Sequence, residues 1–221
     1  DDRPDIFLDG MDFDGKHGFI IGDPIDGNFQ LLESKDRGKS WKDVSNFMYL
    51  FADENEAAFA ASGTSLKLHG KNLYIGTGGS TANFFIRKSK KPAVIKLPVP
   101  ILQGTASTGI FSIDCWDNEN IIVVGGDYLN DNISTDIVQI THDGGYTWEQ
   151  PNSPISGYKS CIKYINKDYV IATGTSGTDV SVDGGMNWRQ ISKAGFNSLV
   201  PNTSATIIYL TGSEQIGKLV L

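Results

Sequence analysis

An all-β fold built from repeated four-stranded units is what this sequence predicts, and three observations predict it. An eight-residue pattern occurs three times, as Ser34-Lys-Asp36-Arg-Gly38-Lys-Ser40-Trp41, Thr141-His-Asp143-Gly-Gly145-Tyr-Thr147-Trp148 and Ser181-Val-Asp183-Gly-Gly185-Met-Asn187-Trp188. Each copy follows an alternating apolar run such as Asp136-Ile-Val-Gln-Ile-Thr141, the period of a strand. Trp148 and Trp188 stand 40 residues apart, the length of one four-stranded propeller blade. The chain therefore reads as a β-propeller.

Each residue of the pattern has a structural job. A short Asp accepts hydrogen bonds from the amides of its own turn, Gly takes the positive φ the turn demands, and Trp re-enters the sheet as a large apolar anchor. Trp41 and Trp148 are 107 residues apart, too far for two blades and slightly close for three, so an intervening blade has lost its motif. Arg87-Lys-Ser89 falls where a degenerate copy would stand. Aligning the copies gives one propeller domain over 1–221, with blades near 7–44, 59–97, 109–149, 158–191 and 196–221, the last ending after its third strand. The stretch from Asn46 to Ala61 reads as a long inter-blade loop with room for a helical turn or two.

Composition narrows the function classes. The chain has 221 residues, 39% of them hydrophobic, and no apolar run approaches the roughly 18 residues of a membrane span. A net charge of −7 argues against nucleic acid or an anionic membrane surface as partner. The basic run Lys88 to Lys91 reads as a solvated hairpin edge. Cys115 and Cys161 read as small buried hydrophobes. No metal-ligand spacing is present and no cofactor is expected; a GxGxxG between strand and helix is lacking, as is GxSxG.

The Asp-box pattern resembles that of the BNR-repeat propellers, a superfamily holding sialidases, sortilin-type receptors, xyloglucan hydrolases and photosystem II assembly factors of the Ycf48 type. In more detail the chain resembles a bacterial group of Ycf48-like propellers that carries the loose label "oxidoreductase". The shared segments are Phe7-Leu-Asp-Gly-Met-Asp-Phe13, Lys16-His-Gly18, Gly22-Asp-Pro24, Phe59-Ala-Ala-Ser-Gly-Thr64, Gly76-Thr-Gly-Gly79, Gly109-Ile-Phe-Ser112, Gly125-Gly-Asp-Tyr128 and Ser176-Gly-Thr-Asp179. The resemblance implies a seven-bladed ring, with about two blades preceding this chain to close it, since Asp1-Asp-Arg-Pro-Asp5 makes a poor closing strand. It also implies export to the periplasm or the cell surface.

The turns joining second to third strands open opposite the Asp boxes, and they repeat a Gly-rich theme around a funnel. Asp23, Gly78, Gly79, Asp127, Tyr128, Ser176 and Asp179 lie in them, and the crossover adds Glu56, Ser62 and Thr64. These residues are the candidate ligand site, although Gly and Asp are also ordinary turn residues. The Asp-box residues Ser34, Asp36, Gly38, Trp41, Thr141, Asp143, Gly145, Trp148, Ser181, Asp183, Gly185 and Trp188 are structural on this reading. Sialidase chemistry would need an arginine cluster, and Arg3, Arg37, Arg87 and Arg189 are scattered. The expectation is a monomeric, non-catalytic binding or assembly module with a protein or glycan ligand. The alternative is a carbohydrate-active enzyme or lectin using Asp23, Glu56 and Asp127.

Overall fold

Antiparallel sheets follow one another along the chain, each made mostly of neighbouring strands. The computed structural model describes residues 3–89, 91 and 93–221, so Asp1, Asp2, Lys90 and Pro92, and with them parts of the acidic N-terminal segment and of the basic run, lie outside the described residues. Strands β1 (Leu8–Asp14), β2 (His17–Ile25), β3 (Asn28–Ser34) and β4 (Lys42–Asp43) form the first sheet in that order. A short helix α1 (Ser45–Met48) and strand β5 (Glu56–Ala57) occupy the crossover. Next come β6 (Leu66–His69), β7 (Asn72–Gly76), β8 (Gly78–Gly79), β9 (Asn83–Arg87) and β10 (Val94–Pro98), of which all but β8 make the second sheet. The third sheet holds β11 (Thr108–Cys115), β12 (Ile121–Asp127) and β13 (Val138–Thr141), extended at its inner edge by β8 and β5. Its outermost strand is reduced to a single bridge between Ile140 and Glu149.

The fourth sheet is β14 (Cys161–Tyr164), β15 (Val170–Gly174), β16 (Gly177–Ser181) and β17 (Arg189–Ser192). The fifth has three strands, β18 (Ser198–Pro201), β19 (Ile207–Gly212) and β20 (Gln215–Val220). One expectation is corrected here. The second blade opens at Leu66 rather than at Phe59, because the chain before it pairs β5 with β8, leaving Phe59 in the crossover. The Phe59 ring instead stacks on Phe111, 4.0 Å away and 8° from parallel.

Cores form between sheets rather than within them. Successive side chains of a strand point to opposite faces, and β12 shows the consequence. Its Ile121 and Val123 pack with Tyr74, Phe84 and Ile86 of the second sheet, while Ile122 and Val124 pack with Ile162, Val170 and Ala172 of the fourth. The same division places Phe19, Ile21 and Leu31 against Leu66, Leu73 and Phe85. Cys161, Ile171 and Val180 meet Leu199, Ile208 and Leu210. Stacked sheets sharing inter-sheet cores are the physical basis of a repeat fold.

Polar stitches join the inner strands near the axis. The Leu68 amide donates to Asp12 Oδ2 and the Tyr164 amide to Asp114 Oδ2, each at 2.8 Å, so the same device links β1 to β6 and β11 to β14. Thr64 Oγ1 lies 2.6 Å from Ser112 Oγ, which accepts the Ile162 amide at 3.0 Å. Ser62 Oγ donates to the Ser160 carbonyl at 2.6 Å.

The three Asp boxes share one hydrogen-bond network. In the second, Thr141 Oγ1 donates to Asp143 Oδ1 at 2.8 Å and accepts the Gly145 amide at 2.9 Å. Asp143 accepts the Thr147 amide at 2.9 Å and the Thr147 hydroxyl at 2.7 Å. Ser34, Asp36, Gly38 and Ser40 repeat these contacts, as do Ser181, Asp183, Gly185 and Asn187. Gly145 has φ +100°, and a Cβ there would come within 2.7 Å of the Phe84 ring. Only Gly lets the turn press against the preceding blade.

Candidate functional site

The turns between second and third strands, with the crossovers, gather at the end of the sheets opposite the Asp boxes. Most of the polar residues expected to line a funnel there are occupied by the fold itself. Asp127 ends β12 and accepts the Leu129 amide at 2.9 Å and Asn130 Nδ2 at 2.7 Å. Burial raises its pKa, but donation from Asn130, Ser107 and Leu129 outweighs this and leaves it below the usual carboxylate range. Glu56 has a fully buried side chain that bonds Asn83 Nδ2 at 3.0 Å, the Asp53 amide at 2.7 Å, Thr77 Oγ1 and Lys96 Nζ at 2.9 Å. It clamps the crossover onto the second blade.

Asp179 lies buried in β16 and pairs at 3.0 Å with Lys159 Nζ, whose side chain is also fully buried. Burial pushes the Lys159 pKa down, and the Asp179 carboxylate holds it up in part. Ser176 Oγ accepts from Lys159 at 2.6 Å and donates to the Tyr158 carbonyl at 2.9 Å. Ser62 and Thr64 belong to the axial hydroxyl stitch. Gly78 and Gly79 are explained by backbone approach: a Cβ on Gly79, at φ +103°, would stand 2.2 Å from the Asn55 carbonyl oxygen, and one on Gly78 2.5 Å from that of Thr108. Tyr128 is 48% exposed, with its ring edge-on to Phe111 at 6.1 Å, beside Leu129 at 73%.

Asp23 differs from the other carboxylates, because it has an acidic neighbour the sequence did not single out. The β1–β2 ladder pairs Leu8 with Gly22 and Gly10 with Ile21, so Asp9 is the extra residue of a β-bulge. The β2–β3 ladder pairs Gly22 with Gln30 and Pro24 with Phe29, so Asp23 is the extra residue of a second bulge. Bulges re-aim side chains, and these two bring both carboxyls to one end of the first blade. The Asp23 amide donates to the Phe7 carbonyl at 3.0 Å, and Asp23 Oδ1 accepts the Ala58 amide at 3.1 Å. Burial, and then the Asp23 charge, push the Asp9 pKa up to about 7; burial also raises that of Asp23. Asp9 Oδ2 is buried without a hydrogen-bond partner.

The third blade has the same bulge with different contents. Its ladder pairs Ile110 with Gly125 and Ser112 with Val124, which makes Phe111 the counterpart of Asp9. Phe111 sits among aromatic rings, 4.0 Å from Phe59 and 4.9 Å from Tyr158. The bulge is thus common to the two blades, and the acid is special to the first. A sequence signal for it existed: Asp9-Gly10 interrupts the strand pattern of Phe7 to Phe13, and an isolated Gly in a strand marks a bulge.

Asp9 lines a shallow hollow of about 400 Å³ with Leu8, Met11, Ile20, Ser62 and Gly63; the positions of Leu8, Met11 and Ile20 are those that in the third blade, as Ile110, Ile113 and Val123, pack against the preceding sheet. Among the described residues no three His, Cys, Asp or Glu side chains are gathered as metal ligands would be. No helix of the chain is long and apolar enough to cross a membrane.

Comparison with known proteins agrees with this architecture. The BNR/Asp-box repeat family model matches residues 139–150, the segment that holds the second box. No curated protein matches the chain. Among solved structures, a protein of unknown function from Dyadobacter fermentans is similar with a TM-score of 0.65 at 12% identity, covering 99% of this chain and 84% of that one. YCF48 bound to D1 peptide is similar with a TM-score of 0.52 at 14% identity, covering 100% of this chain and 80% of that one. An ancestral GH74 enzyme is similar with a TM-score of 0.56 at 15% identity over 92% of this chain, which spans only 27% of that enzyme. The chain is a β-propeller carrying the BNR/Asp-box repeat, with a Ycf48-like fold.

Proposed function

We propose that this propeller is a non-catalytic binding or assembly module that contacts a polypeptide through the end of the sheets opposite its Asp boxes. The observation that carries the reading is the division of labour at that end. Glu56, Asp127 and Asp179 are bonded within the fold, whereas Tyr128, Leu129 and Phe7 are left exposed, at 48, 73 and 58%. Exposed aromatic and apolar side chains rimmed by polar groups suit a protein contact. The shared fold with YCF48, solved with a D1 peptide, supports a protein partner.

A second reading, carbohydrate turnover, is favoured by the Asp9–Asp23 pair, since a carboxyl raised to about 7 beside another is the pattern of acid–base work. One experiment separates the two: a synthetic peptide array and a panel of glycosidase substrates, each presented to the purified chain and to its Tyr128→Ala, Leu129→Ser and Asp23→Ala variants. Peptide capture that is lost in the Tyr128 and Leu129 variants, with no turnover, is the expected result. Hydrolysis that disappears with Asp23→Ala would replace the binding reading with the catalytic one.

A further inference from the structure

The outer edge of the third blade is open where those of the first, second and fourth blades are closed. Ile140 of β13 exchanges both backbone hydrogen bonds with Glu149, each at 2.9 Å. Alternate residues of an antiparallel strand turn their backbone groups the same way, so the N–H and C=O of Val138 also face outward. The inward bond from the Gly125 amide to the Ile137 carbonyl, at 3.0 Å, fixes that alternation. Among the described residues nothing bonds either backbone group of Val138. Val138 is nevertheless only 2% exposed. Backbone groups of buried residues are nearly always paired, which makes this edge an exception.

The cause is in the sequence. Counted from the first residue of each Asp box, Val138 corresponds to Leu31, Pro151 to Val44 and Asn152 to Ser45. In the first blade the Val44 amide donates to the Leu31 carbonyl and the Leu31 amide to Ser45 Oγ, both at 2.9 Å. Pro151 has no N–H to give, and the Asn152 amide is drawn to the Met186 carbonyl of the fourth blade at 2.7 Å. The second blade pairs β10 with β9 from Asn83 to Arg87, and the fourth pairs Ser192 with Thr178, so neither has such a gap.

A cavity of about 320 Å³ opens onto Val138, walled by Asp136, Gln150, Pro151, Pro154 and Ile155. The Asp136 carboxylate is engaged by Gln150 Nε2, and the Asp136 carbonyl accepts the Leu102 amide at 2.6 Å. What the cavity offers is therefore one backbone donor, one backbone acceptor and the apolar surface of two prolines and an isoleucine. An extended polypeptide matches it, because one residue of an added strand supplies both an N–H and a C=O at that spacing. Val44 and Ser45 occupy the corresponding place in the first blade, so the edge has room for a strand. Sheets pack on both faces of the third blade, and its outer edge is what they leave uncovered.

We propose that an extended segment of the protein partner adds to the third blade as a strand along β13. One of its residues exchanges both backbone hydrogen bonds with Val138, and an apolar side chain rests against Pro151, Pro154 and Ile155. This rests on the binding reading above and names how the partner is held. The loop that begins with Tyr128 and Leu129 leads directly into β13, which makes the two contacts continuous along the chain.

The test titrates the full chain with acetyl-Thr-Val-Thr-Val-Thr-amide, a short strand former, and with the same peptide N-methylated at every residue, which keeps the side chains and loses the donors. The Val138 amide is followed by NMR and hydrogen exchange. In the free chain it should exchange faster than that of Ile140, and the peptide should shift it saturably and slow its exchange at least tenfold. The methylated peptide should bind at least tenfold more weakly. A Pro151→Val, Asn152→Ser double variant, which copies Val44 and Ser45, should close the edge and lose the peptide.

A Val138 amide as protected as that of Ile140 in the free chain, or equal binding of the methylated peptide, would overturn the proposal. So would undiminished binding by the double variant, or N-acetylglucosamine shifting Val138 while the peptide leaves it still. Should the double variant not fold, the methylated peptide decides the same point. If the peptide array yields ligands that need Tyr128 and Leu129 while Val138 responds neither to them nor to the pentapeptide, this inference fails and the binding reading stands. If no peptide binds at all, the binding reading fails with it.

Discussion

Trp148, the last residue of the second Asp box, stands edge-on to Phe84 of the preceding blade, with ring centroids 5.2 Å apart and planes at 85°. Trp188 likewise packs with Ile122, Val124 and Ile140 of the blade before its own. The box therefore does more than close a hairpin. It directs an aromatic ring from one blade onto its neighbour, and each repeat helps hold the next.

The anchor role predicts an order among the tryptophans. Trp148→Ala should cost about 3 kcal/mol, as truncation of a packed aromatic does. Trp41 is met by Phe13 of its own blade, at 5.6 Å, and should cost less when truncated. Chemical denaturation of the two variants measures the difference, and a Trp148→Ala cost under about 1 kcal/mol would remove the anchor role.

Acid should weaken the boxes in a defined window. Hydrogen bonds from the Thr147 amide and hydroxyl, with those of Thr141 and Tyr146, hold Asp143 down at about 2. Because its folded pKa lies below the unfolded value near 4, the stability it contributes is complete above pH 4 and is lost as pH falls toward 2. Asp143→Asn should flatten thermal stability across that window, while a slope equal to that of the parent chain would show that the carboxylate is not the titrating group.

Asp9 should act in the opposite sense. A carboxyl raised to about 7 by burial and by Asp23 binds its proton more tightly in the folded chain than in the unfolded one. Stability should therefore fall as pH rises from about 4 to 7 on its account. Asp9→Asn should be more stable than the parent at pH 8 and nearly equal to it at pH 4; melting temperatures at the two pH values supply the comparison.

The Lys159–Asp179 pair should tolerate joint replacement better than single replacement. Removing one partner leaves a buried charge unmatched, which costs on the order of 3 to 5 kcal/mol. Lys159→Met and Asp179→Leu should each be strongly destabilising, and the double variant less so than the two costs added. A double-mutant cycle showing additivity would mean that the two charges are not coupled.

The periodic features of the fold were legible in the chain because they are local. The Asp-box turn is built within eight residues, from an Asp that caps its own amides and a Gly at positive φ, so residue type and spacing carry the whole message. The first strand of the first blade, β1, opens at Leu8, that of the third, β11, at Thr108, and that of the fourth, β14, at Cys161. Spacing misled at Phe59, where an apolar residue that looks like a strand opening serves as a stacking partner for Phe111 across the crossover.

The candidate site was legible only in part, because residue type does not reveal whether a carboxylate is already bonded. Glu56, Asp127 and Asp179 look alike in sequence, yet one is a clamp for Lys96, one a turn-maker and one the counter-ion of a buried lysine. Asp23 accepts the Ala58 amide, and its neighbour Asp9 came into view only with the bulges. The sequence by itself determined the repeated all-β architecture, since that follows from local turn chemistry and the two-residue period of strands. Which carboxyls remain free was decided by the tertiary structure, because it depends on ladder register and on partners as far apart in the chain as Asp23 and Ala58, or Glu56 and Lys96.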